Sequence, residues 1–115
     1  MDAKLKELEG QIGKVPLIMR DWAHSDPELK DAVASMDKVI WQDGKLSKQT
    51  KKIIAICIAA ALRDQHAVRA QAAGACNLGV DYGEVEEALR VTFLLAGMPA
   101  YVYGRTAIDD LMKKK

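Results

Sequence analysis

Apolar residues return at helical spacing from the start of the chain: Leu5, Leu8 and Ile12 lie on one face before Gly13 and Pro16 interrupt. Leu17, Ile18 and Trp22 predict a second short helix. Residues 1–25 are therefore expected to form a helical arm packing on a larger body, residues 26–115. In SDPELKDAVASMDKVIWQDG, Asp26 is a good N-cap and Pro27 suits the first helical position. Leu29, Ala32, Val33, Met36 and Ile40 then form one stripe, which Asp43-Gly44 ends. Ser47 caps a further helix whose polar first turn gives way to IIAICIAAAL, apolar all round as a helix enclosed on every side must be. Its isoleucines would also suit a buried strand, but the alanines and the lack of a partner strand favour helix.

After Arg63, Asp64 caps a helix that should end between Asn77 and Gly79, residue types that tolerate the left-handed conformation at a helix stop. In DYGEVEEALRVTFLLAG, Asp81 and Glu84 have capping-box spacing, and Val85, Ala88, Leu89 and Thr92 share a face. Gly97 and Pro99 close that helix and open the last, which carries Val102, Ile108 and Leu111. The pattern predicts an all-α, single-domain helical bundle of about six or seven helices.

Composition narrows the function more than the fold. Seventeen basic and sixteen acidic side chains give a formal charge of +1, so no basic field argues for nucleic acid or an anionic membrane. The terminal Lys113-Lys114-Lys115 reads as a solvated helix end. The longest apolar run, Ile53 to Leu62, is about half a membrane span. Two cysteines make no disulfide framework, which fits a cytoplasmic protein. His24 and His66 with Cys57 and Cys76 have no metal-ligand spacing, there is no phosphate-cradling glycine loop, and no metal or cofactor is expected. Half of the residues are apolar in a chain of 115, which favours burial between subunits.

The order LSKQTKKIIAICIAAALRDQHAVRAQAAGACNLGVDYGEVEEALRVTFLLAGMPA resembles the carboxymuconolactone decarboxylase family, which also contains the alkylhydroperoxidase D type of thiol enzyme. The resemblance covers roughly Pro27 to Asp110 and rests on the apolar helix after Ser47, the HAVRAQAAGACNLGV segment, the EVEEALR helix and the AGMPA break. It implies an all-helical fold of the alkylhydroperoxidase D-like type and assembly into trimers or hexamers.

The thiol branch of that family uses a glutamate, a Cys-x-x-Cys pair and a histidine, and those places fall on Lys52, Asp64, Ala67 and Gln71. None supplies a thiolate or its proton relay. Cys57, inside the apolar helix, and Cys76, near the end of the next, read as small hydrophobes, so peroxide chemistry is the least favoured activity. The decarboxylase branch implies His66 as acid–base group and Arg69 as anchor for the carboxylate of a small lactone or related acid, with Gln71 where a second histidine is usual. The pair suits that chemistry, because an imidazole titrates near neutrality and a guanidinium holds a carboxylate bidentately. Three apart, the two are neighbours on a helix. Tyr101 and Tyr103 follow the Pro99 break and diverge, so one at most faces a pocket; Tyr101 joins Arg69 and Gln71 as a candidate ligand contact. Against this stands a non-catalytic homo-oligomeric binding or assembly protein on the same scaffold, in which His66 is a satisfied core histidine in the first turn of a buried helix, bonded to a neighbour or to water, and Arg69 pairs with Gln65 or with a carboxylate of another helix. Glu84, Glu86 and Glu87 are read as suiting the dipole of their helix start.

Overall fold

Five helix starts are fixed by a local side-chain cap. The side chains of Asp2, Asp26, Ser47, Asp64 and Asp81 accept backbone N–H groups from Leu5, Leu29, Thr50, Ala67 and Glu84, satisfying donors that the first turn leaves free. The computed structural model describes residues 1–113; Lys114 and Lys115 of the terminal lysine run lie outside the described residues. Seven helices follow in order: α1 (Ala3–Ile12), α2 (Leu17–Ser25), α3 (Pro27–Trp41), α4 (Lys48–Ala61), α5 (Gln65–Asn77), α6 (Tyr82–Ala96) and α7 (Met98–Leu111). No strand occurs among the described residues. The break between α4 and α5 turns on Arg63, whose φ of 57° is left-handed despite its side chain.

Two apolar cores form. Ile56, Ala60, Val68, Ala72, Val85, Leu89 and Ile108 fill the α4–α7 bundle, while Leu5, Leu8, Ile12, Val15, Met19 and Ala34 fill a second cluster among α1, α2 and α3. The arm expected over residues 1–25 thus shares its core with α3. Gly104 lets α7 close on α6, since a Cβ there would stand 2.4 Å from Leu89 Cδ2. Among the described residues, no helix is long and apolar enough to cross a membrane.

Three faces differ from the sequence pattern. Leu17 and Ile18 point outward and Met19 is the buried residue of α2. Leu29, Met36 and Ile40 of the α3 stripe are exposed, because α1 packs on the opposite face through Ala34 and the stem of Lys30. The α4 helix is not enclosed: Ile54, Ile58 and Leu62 run along an open side, and the residue it buries first is Lys52. His24 sits in the last turn of α2, where a basic group suits the dipole.

Candidate functional site

The first turns of α5 and the length of α7 diverge enough to leave a groove of about 500 Å³. Its walls are mostly apolar, with Val68, Met98, Pro99, Val102 and Ala107, while Gln65, Arg69, Tyr103 and Thr106 supply the polar groups. Size and lining are those of a small-molecule site. Asp64 fixes the start of α5, so Gln65, Val68 and Arg69 come to the groove at helical spacing, and Pro99 begins the α7 wall. Arg69 Nη2 donates to Asp110 Oδ2 at 2.6 Å. Asp110 is exposed and Arg69 partly so, and the pair by itself adds little stability.

The other expected residues are distributed around this groove rather than gathered in it. His66 is exposed in the first turn of α5 and is not among the lining residues. Tyr103, not Tyr101, reaches the groove wall. Tyr101 Oη instead donates to Glu86 Oε2 at 2.5 Å, in a network that also brings Arg105 Nη1 to the Tyr101 hydroxyl at 2.7 Å and Arg90 Nε to Glu86 Oε1 at 2.7 Å. Arg105 reaches Asp109, which accepts from the Tyr82 hydroxyl. The Tyr101 hydrogen bond, followed by the two guanidiniums, holds the Glu86 carboxyl below its usual range against the cost of burial. Every member is bonded, so this network clamps α6 to α7. Its place near a helix start assigns Glu86 to the dipole; the signal for the network is the i,i+4 spacing of Glu86 with Arg90 and of Arg105 with Asp109.

The four places aligned with the thiol site pair off in space. Asp64 Oδ1 accepts from the Ala67 amide at 2.9 Å as the α5 cap. Lys52 Nζ donates to Gln71 Oε1 at 2.9 Å and lies 4.4 Å from the centroid of the Trp41 ring. Lys52 is only 2% exposed, and burial pushes its amine down to about 8, with the Asp37 charge pulling the other way. Cys57 is half-buried, and burial pushes its thiol up, partly offset by a hydrogen bond with Thr92; Cys76 is exposed. Burial thus disfavours the reactive thiolate at Cys57. Among the described residues, no three His, Cys, Asp or Glu side chains converge as metal ligands would.

Comparison with known proteins follows the same outline. The chain is 31% identical over 86 residues to the uncharacterized protein MJ0742 of Methanocaldococcus jannaschii, covering 74% of this chain and 83% of that one. It is 28% identical over 85 residues to MJ1511 of the same organism, covering 74% and 79%. Uncharacterized protein 4 in the cox locus of Paracoccus denitrificans is 24% identical over 98 residues, covering 85% and 88%. A crystal structure from Burkholderia xenovorans LB400, provisionally named a carboxymuconolactone decarboxylase, superposes with a TM-score of 0.76 at 23% identity, covering 92% of this chain and 84% of that one. That likeness concerns the fold. The family model for carboxymuconolactone decarboxylases matches residues 27–110, from the first turn of α3 to the last of α7, and the chain belongs to the carboxymuconolactone decarboxylase family.

Proposed function

We propose that this family member binds a small apolar carboxylate in the α5–α7 groove, with Arg69 as its anion anchor, and works as a homo-oligomeric binding protein rather than a thiol enzyme. The observation that carries this is a solvent-accessible guanidinium on the wall of a mostly apolar groove. Its present partner, Asp110, is a surface carboxylate that a ligand carboxylate can replace in kind. The body of the ligand would lie against Val68, Val102 and Ala107, with Tyr103 and Thr106 offering hydroxyls to a ring oxygen such as that of a lactone. The two free thiols and the absence of a Cys-x-x-Cys pair fit a protein of the reducing cytoplasm with no peroxidase role.

Calorimetry with muconolactone and with benzoate tests the reading. Saturable binding should weaken by about ten- to a hundredfold in Arg69→Met, the usual worth of a hydrogen bond to a charged group. Equal affinity in both chains would remove Arg69 from the site.

A second reading makes the groove catalytic, with His66 as the acid–base group. It is favoured by the position of His66 one turn before Arg69, exposed and able to exchange protons with solvent. Under that reading the protein decarboxylates or isomerises a carboxylated lactone. Turnover should then be lost in His66→Asn while binding persists; full turnover in that variant excludes the role.

A further inference from the structure

The seam between α1–α3 and the bundle differs from the interiors on either side of it. The α1–α3 unit closes on itself, with its own apolar cluster and with the ion pairs Lys30–Asp2, Lys30–Asp31, Lys4–Asp31 and Arg20–Glu9 all internal. Residues 42–47 are the connection between α3 and α4. Close polar and backbone contacts cross the seam, among them Lys51 Nζ donating to the Ile40 carbonyl at 2.7 Å and the Gln42 carbonyl at 2.6 Å, beside a cleft lined by Ile40, Trp41, Ile54 and Ile58. Gly13, at φ 82°, abuts Gly74 so closely that a Cβ would stand 2.0 Å from the Gly74 carbonyl oxygen. Asn77 Nδ2 donates to the Gly13 carbonyl at 2.7 Å. Beneath them lies Lys52: a Cβ on Gly74 would be 2.4 Å from the Ile12 carbonyl and 3.0 Å from Lys52 Nζ.

We propose that α1–α3 is a hinged cover on the α4–α7 bundle, turning at residues 42–47 and biased toward opening by the Lys52 ammonium enclosed beneath it. When closed, the ammonium has one side-chain oxygen, that of Gln71, and the face of Trp41 in place of a water shell. From α3 it also faces the Asp37 carboxylate, which acts through charge; α5 offers the neutral Gln71 and Gly74, and the end of α1 the neutral Ile12–Gly13 peptide. Burying a cation so incompletely solvated is costly, and opening returns it to water without disturbing either apolar core. Burial also lowers the proton affinity of Lys52, as a cost borne by the closed charged form requires.

The test is amine labelling of the full chain with an N-hydroxysuccinimide ester, read by peptide mass spectrometry along a urea series below the unfolding transition. A cover that opens on its own exposes Lys52 at least tenfold more often than global unfolding does, with a clearly shallower dependence on urea. Asn77→Ala, which removes a seam hydrogen bond and leaves both cores intact, should raise Lys52 labelling severalfold relative to the exposed Lys6. Labelling of Lys52 in the native chain that matches global unfolding in both rate and urea slope overturns the proposal. So does an Asn77→Ala chain that remains folded with Lys52 labelling unchanged.

Discussion

Lys52 carries the clearest consequence of a single side chain in its surroundings. Its ordinary value is 10.5 and burial brings it to about 8, so between those values the folded chain binds fewer protons than the unfolded one. Stability must therefore rise as pH climbs through that window, by on the order of 3 kcal/mol at the limit. Below pH 8 both forms are protonated and the cost is constant. Urea unfolding at pH 7.5 and 9.5, compared with Lys52→Met, isolates the effect from other titrating groups. The native chain should gain stability relative to the variant at the higher pH; parallel behaviour would mean that Lys52 is hydrated in the folded state. Sequence alone does not disclose this. Lys52 reads as part of a polar first turn, and its burial depends on Trp41, Gln71 and Gly74, which come from other helices.

Among the elements, α6 and α7 pack closely where Gly104 meets Leu89. Gly104→Ala should cost about 1 to 3 kcal/mol, because the added carbon forces the Leu89 side chain or the helix axis to move. Thermal unfolding measures it; an unchanged midpoint would show that Leu89 repacks freely. How far the elements are legible in the sequence follows from the range of the forces that set them. The caps at Asp26, Ser47, Asp64 and Asp81 are readable because each bond spans three residues. The α6 face is readable because its partners bury Val85, Leu89 and Thr92, with Ala88 half-buried beside them. The α3 and α4 faces are not, since an apolar stripe is the same in sequence whether it meets its own chain or another surface. Arg69 is legible as a candidate through the family resemblance, which its chemistry suits; the α7 wall with Tyr103 and Thr106 is not, because nothing local brings residues 103 and 106 to α5.

At the scale of the whole molecule, the outward-facing stripes share one feature. Ile54 and Ile58 on α4 with Leu62 at its C-cap, Val91, Leu94 and Leu95 on α6, and Met36 and Ile40 on α3 are all exposed, Leu95 to 82%. So much apolar surface in a small chain marks an interaction site, and burying each such side chain is worth about 1.5 to 3 kcal/mol. Light scattering on a sizing column should give a trimer or a multiple of one at micromolar concentration, shifted to smaller species by Ile58→Lys. A native monomer would contradict the assembly half of the proposed function.

The groove between α5 and α7 is the centre of the account, and amide chemical-shift mapping of the isotope-labelled protein with benzoate tests it most directly. The predicted result is a saturable set of shifts at Val68, Arg69, Tyr103, Thr106 and Ala107, lost in Arg69→Met. Saturable shifts confined to another part of the molecule, or no shifts with benzoate or muconolactone at millimolar concentration, would contradict the account.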